Sequence, residues 1–262
     1  MRSPSRSVSR VLSRRAALSL PFAWCSLSSS EAFGFGDGGA FHPRLLRAGN
    51  HPPLGVRSSG AGRWSWELVR RTSAPARLVP SEVSADQSAL QAEPFAIWAG
   101  DSDPGPLSAA EVRGLTRFMR LGGVLVVDDS NPASGAFGRG AKRELARVLP
   151  ESAPVRLDPG HVIFKTFYIV ERPVGRVLGP PDVSAIVRGK NAQVIFLEHD
   201  LLGALARSGE GFALETEPGG FAQREQAVRF AVNLSMYVLC SDYKDDQVHA
   251  PFLMRRRARQ KP

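Results

Sequence analysis

The sequence predicts an α/β fold, an open and mostly parallel sheet with helices on both faces. Three observations predict it. Two runs of core-type residues, "FAIWAG" (95–100) and "VLVVDD" (124–129), read as buried strands. The stretch between them, 108–123, has the grammar of a crossover helix, which makes its two flanking strands parallel. Strand-like and helix-like segments then go on alternating along the chain, the pattern of a sheet covered on both sides.

Composition is compatible with such a domain. The chain has 262 residues, 43% hydrophobic and 23% charged, both ordinary for a globular protein. Its formal charge of +9 is confined to the two ends. Residues 1–32 carry five arginines (2, 6, 10, 14, 15) against one glutamate, and 255–261 carry four arginines and Lys261, so 33–254 is neutral. A neutral body lacks the basic face of a nucleic-acid-binding domain, and no nucleic-acid partner is expected.

Residues 1–32 have the layout of an export signal. Arg14 and Arg15 close a basic region, a short apolar run follows to Trp24, and small residues lead to a cleavage point after Ala32. Ser13-Arg14-Arg15 with Leu18 resembles a twin-arginine signal. The apolar run is far below the ~20 residues of a spanning helix, and no transmembrane segment is expected in the mature chain. The expected location is the periplasm; the alternative is an inner-membrane anchor formed by an uncleaved signal. Removal of the signal takes Cys25 with it and leaves Cys240 alone.

Residues 33–62, rich in glycine and proline, read as an irregular lead-in. The α/β domain is expected over 63–241, and 242–262 as an extension with a basic tail. "RWSWELVRRTS" (63–73) fits an amphipathic helix with Trp66, Leu68 and Val69 towards the core. "ARLVP" (76–80) reads as a short strand, and 81–93 as a polar, alanine-rich link. Ser108 and Glu111 make a capping box, in which each side chain satisfies a backbone N–H at the helix start. Val112, Leu115, Phe118 and Met119 fall on one helical face, and Gly122-Gly123 supply the left-handed stop. "GRGAKRELARVLP" (138–150) gives a further helix and "HVIFKTFYIV" (161–170) an aromatic β-rich segment. "SAIVRGKNAQVIFLEHD" (184–200) gives two strands joined at 189–191. "QREQAVRFAVNLSMYVLC" (223–240) gives a buried core helix, with Cys240 as an inert buried thiol.

The order of these segments resembles family 4159 of the domains of unknown function, bacterial proteins with a class I glutamine amidotransferase-like (flavodoxin-like) fold. The resemblance rests on "EPFAIWAGDSDPGPLSAAEVRGLTRFMRLGGVLVVDDSN", "GHVIFKTFYIV", "AQVIFLEHDL" and "REQAVRFAVNLSMYVL", and spans roughly residues 40–240. The family pattern has proline after the histidine where this chain has His161-Val162, and an aromatic and glycine after the acidic pair where it has Ser130-Asn131. The resemblance implies a fold and not an activity. In amidotransferases the nucleophilic cysteine occupies a sharp turn after the strand equivalent to 124–128, and here that turn carries Asp129. Ser130 lacks the glycine-flanked elbow that a serine nucleophile needs.

Ligands of open α/β sheets sit beyond the carboxyl ends of the strands. Asp101 and Asp103 follow one predicted strand, Asp128 and Asp129 end the next, and Glu198, His199 and Asp200 follow another, while His161 opens the aromatic segment. If they converge, Asp101, Asp103, Asp128, Asp129 and Asp200 are candidate ligands for a ligand or divalent cation. Asp128 or Asp129 with His161 or His199 is then the candidate acid–base pair. The competing reading makes the same aspartates helix caps and Asx turns. No motif specifies a cofactor. The expectation is an exported, soluble binding or assembly module of the cell envelope. One alternative is a carbohydrate or amide hydrolase. Another is an accessory subunit of a membrane complex, held to an envelope partner through 242–262.

Overall fold

Five parallel strands form the middle and one edge of a seven-stranded sheet. They are β1 (Arg44–Arg47), β2 (Ser81–Ser84), β3 (Phe95–Gly100), β4 (Val124–Asp129) and, after β5 (Val155–Arg156) and β6 (Ser184–Arg188), β7 (Asn191–Leu197). Their order across the sheet is β2-β1-β3-β4-β7-β6-β5, with β6 antiparallel to β7 and β5 antiparallel to β6. The computed structural model describes residues 39–50, 52–189 and 191–258, with side chains to Cys240. The export signal (Arg14, Arg15, Ala32), Cys25 and the last four residues lie outside this set.

The expected parallel pair is present. β3 and β4 run side by side in register from Phe95 opposite Val124 to Gly100 opposite Asp129. Their crossover is α2 (Ala109–Arg120), whose start carries the capping box in both directions, Ser108 accepting from the Glu111 N–H and Glu111 from the Ser108 N–H. Leu115, Phe118 and Met119 are buried, and the helix stops at Gly122, whose φ of 91° suits a residue without Cβ. Strand side chains alternate between two cores. Phe95, Ile97, Val124 and Val126 face α1 (Ser58–Thr72), α4 (Leu201–Leu205) and α5 (Gly220–Ala258). Ala96, Trp98, Leu125 and Val127 face α2 and α3 (Ala136–Val148). The chain is therefore α/β, with a mostly parallel sheet flanked by helices.

Several expectations need correction. Residues 33–62 are not merely an irregular lead-in, since β1 lies inside the sheet and α1 begins at Ser58. Arginines at both ends of "RLLR" hid this strand. Arg44 is buried and spends its guanidinium on the carbonyls of Ala89, Leu90 and Phe95 at 2.9–3.1 Å. The strand expected at 76–80 lies at 81–84. Leu78 and Val79 are exposed, and Val83 is the one buried residue of this edge strand. In α1 Leu68 is buried in the core as expected, but the tryptophan beside it there is Trp64, which donates to Ala231 O (2.8 Å) and Ser235 Oγ (2.6 Å). Trp66 and Val69 are exposed, with Trp66 under the Arg63 guanidinium at 3.9 Å. Residues two apart on a helix face nearly opposite ways, so only one tryptophan can point inward.

The aromatic segment 161–170 is not a strand. It holds a 3-10 turn over Val162–Phe164, and Asn233 Oδ1 accepts from the N–H groups of Phe167 (3.1 Å) and Tyr168 (2.7 Å) in place of a ladder. The last helix is longer than expected, Gly220–Ala258, and Cys240 is exposed on it rather than buried. Among the described residues no helix is long and apolar enough to cross a membrane.

Candidate functional site

The growth direction of the parallel sheet reverses between β1 and β3. The first connection, through α1, moves outward from β1 to the edge strand β2; the next strand, β3, returns to the other side of β1. In doubly wound sheets the crevice for a ligand opens at this switch point, beyond the carboxyl ends of the strands.

Asp128 and Asp129 are consecutive on β4, so their side chains leave on opposite faces. Asp128 is fully buried, its Oδ1 and Oδ2 accepting the Leu201 and Leu202 N–H groups at 2.8 Å each. Burial, then the Asp200 charge, pushes its carboxyl up to about 7 against the pull of those two donors. Asp129 faces the other way and accepts from the N–H groups of Asn131 (2.9 Å) and Gly138 (3.0 Å), closing an Asx turn and tying down α3. Burial raises its pKa as well, against the same two donors.

Asp200 sits at φ 52°, a left-handed position, and caps α4 by accepting from the Gly203 N–H at 3.1 Å. Its buried carboxylate takes a two-pronged contact from Arg57 Nε and Nη2, both 2.9 Å, and one from Arg176 Nε. Its own N–H donates to Asp129 O at 3.2 Å, which locks the ends of β4 and β7 together. Two arginines thus hold one aspartate beside a second, and the first hydrogen bond to Asp200 is the main reason the Arg57 pKa is raised.

The remaining candidates do not join this cluster. Asp103 accepts the Gly105 N–H at 2.8 Å and pairs with both Nη atoms of Arg143, which hold its carboxyl down at about 2. Glu198 pairs with Lys142 at 2.8 Å. The His199 ring is buried against the carbonyl of Pro180 (Nε2 at 2.9 Å), and burial lowers its pKa. His161 lies towards the opposite, amino-terminal end of β7. Its ring packs on Tyr237, whose hydroxyl accepts the Ala192 N–H at the amino end of β7. Among the described residues no histidine faces the aspartates of the strand ends, and no group of three or more His, Cys, Asp or Glu side chains is placed to hold a metal ion.

One predicted residue does face a cavity. Asp101, exposed after β3, lines a space of about 280 Å³ with Pro52–Arg57, Gly100 and Ser130. These belong to the loops after β1, β3 and β4, so the space occupies the switch point. The loop after β1 is held over it by the Gly49 N–H on Glu111 Oε1 (2.7 Å) and the Asn50 N–H on Pro104 O (2.6 Å).

Sequence reasoning missed Arg57 and Arg176 and underweighted Ser130. One signal was available. Acids that end buried strands need partners, and a neutral body must find them among its own arginines. What the sequence does not show is which ones, because Arg57 and Asp200 are 143 positions apart.

A family model described as "Domain of unknown function (DUF4159)" matches residues 57–239. No curated protein matches the sequence.

Proposed function

The chain belongs to the DUF4159 family of domains of unknown function, and on that premise we propose that it is a non-catalytic binding module of the cell envelope, with its ligand site at the switch-point cavity. The observation that carries this reading is the employment of the acids. Asp128, Asp129 and Asp200 spend their oxygens on backbone N–H groups and arginines, which is the work of caps and turns. An acid–base pair needs a carboxyl and an imidazole within reach of one substrate. Here His199 is turned to Pro180 and His161 lies at the other end of the sheet. Among the described residues, the hydrolase alternative draws no support from these two histidines.

In its finer detail we read the fold as class I glutamine amidotransferase-like without the cysteine. The parallel order, its reversal between β1 and β3, and the sharp exit of the chain after β4 support this. The location we propose is the periplasm, supported by Arg14-Arg15, the short apolar run and Ala32.

Ligand-induced stabilisation tests the reading. Neutral sugars, acidic sugars, amino acids and short peptides are screened by thermal shift against the full chain and Asp101→Asn. At least one class should raise the melting temperature of the first and not of the second. Stabilisation by none of them, or turnover of any that falls in Asp128→Asn or His199→Ala, would sink it.

A further inference from the structure

We infer that the outer face of α1, with the loop before β2, docks the protein on an anionic lipid surface; no ligand in the switch-point cavity is needed for this. A helix on the outside of a sheet normally turns a charged and polar stripe to water. α1 does not. Its exposed residues are Trp66, Val69 and Arg70, and Glu67, the one acid in the helix, is 2% exposed. The loop runs back beside it. Leu78 O and Pro80 Cδ lie 3.0 and 3.4 Å from where a side chain on Gly62 would begin, and Gly62 is one helical turn before Trp66. Trp66, Val69, Leu78 and Val79 are between 38% and 79% exposed, and residues 66–80 hold no acid besides Glu67. Apolar side chains scattered singly over a surface need no explanation, but four on one face do.

The charge of this face is a second, independent observation. Arg63 and Arg70 bring their guanidinium groups to 3.9 and 5.0 Å from the centre of the exposed Trp66 ring. Arg63 and Arg71 share the buried Glu67, Arg71 also takes Glu225, and the exposed Arg77 pairs with Glu93. Arg70 meets no carboxylate among the described residues. Glu93 and Glu225 also answer Arg44 and Arg229, so four arginines outweigh their acids here. Glu82, the next acid along the chain, is paired with Arg47. The face is therefore positive in a body that is neutral as a whole.

An anionic headgroup layer matches the combination. A soluble anion would answer Arg70 and leave four apolar side chains in water. A purely apolar partner would cover those and strip water from Arg70 and Arg77 without replacing it. A second copy, paired about a two-fold axis, would bring the same cations to the same place. At a membrane boundary an indole ring buries its apolar body and keeps its N–H wet, while guanidinium groups reach phosphate along their aliphatic stems. Trp66 on the back of a helix and Val79 on its loop protrude from the surface, so they enter a soft layer without a complementary pocket. Four apolar side chains and two exposed arginines give a reversible, peripheral contact.

The test is co-sedimentation of the full chain with vesicles of phosphatidylcholine, alone or with about a third phosphatidylglycerol. So that the basic tail is not the anchor, each measurement is repeated in a chain carrying Arg255→Gln, Arg256→Gln, Arg257→Gln and Arg259→Gln. In both chains the anionic vesicles should bind about tenfold tighter or more, since each exposed arginine is worth about fivefold, and added salt should loosen them. Trp66→Ala, Arg70→Glu and the pair Leu78→Ser with Val79→Ser should each weaken that binding by about fivefold or more, while melting within about 2 °C of the parent. Binding lost only with the tail arginines, equal binding to both vesicles, or binding that none of the three face variants weakens overturns the proposal. Absence of vesicle binding overturns it as well. Polyglutamate binding in its place, lost in the same variants, would assign the face to an acidic protein, and self-association lost in them would assign it to a second copy.

Discussion

Asp128 is the residue through which pH should act. Its carboxyl is held up to about 7 in the fold, against 3.8 in the unfolded chain. Between those values the folded protein keeps a proton that the unfolded chain releases. The contribution to stability is therefore complete below about pH 4 and is lost as pH rises through about 7. Asp128→Asn should flatten this slope, read from urea midpoints between pH 4 and 8. At pH 5 it should also lower stability by about 1–3 kcal/mol, because an amide can accept only one of the Leu201 and Leu202 N–H groups. Arg57→Ala removes the two-pronged partner of a buried aspartate and leaves Asp200 to Arg176 alone. A loss of about 3 kcal/mol in urea unfolding is expected, less for Arg57→Lys, which keeps the charge but not the fork. At this scale the sequence announced the acids and said nothing of their duties. Asp128 and Asp129 are neighbours in the chain, yet one caps α4 and the other α3, and no pattern of residue types distinguishes them.

Elements built from local signals were legible, and those built from distant ones were not. α2 was readable from start to stop because its capping box, apolar face and Gly122 all lie within fifteen or so positions. Ser108→Ala should cost about 1 kcal/mol by denaturant unfolding, since one N–H at the helix start loses its acceptor. β1 and β2 had no such signal. "RLLR" is buried because β2 and β3 flank it, and "SEVS" is a strand because β1 pairs with it in register from Arg44 opposite Ser81. The 161–170 segment misled for the converse reason. Of its β-type residues Ile163, Phe164 and Val170 are buried, Phe164 against Phe230, while Val162, Phe167 and Ile169 are exposed; Asn233, like Phe230 on α5, holds the backbone, so tertiary contacts overrode the propensity. α5 continues to Ala258, and among its described side chains Val238 and Leu239 are the last that pack on the core. Truncation after Ser241 should leave the melting temperature within about 2 °C of the full chain. A larger drop would mean that the extension packs on the domain; loss of envelope association alone would assign it to a partner.

For the whole molecule, the export reading makes a prediction independent of the fold. The mature N-terminus should be found near Phe33, and Arg14→Lys with Arg15→Lys should hold the full-length chain in the cytoplasm, as seen by fractionation and N-terminal sequencing. The α/β class and the parallel pairing of β3 with β4 were determined by the sequence alone, because hydrophobic period, caps and crossover length are local properties that carry topological consequences. Which acids converge was decided by the tertiary structure. It placed Asp101 beside a cavity with Arg57 and Ser130, turned Asp103, Asp128, Asp129 and Asp200 into structural contacts, and set His161 towards the amino end of β7. The physical reason is that a carboxylate is committed by whatever donors the fold brings within about 3 Å, and those donors come from segments up to 143 positions away.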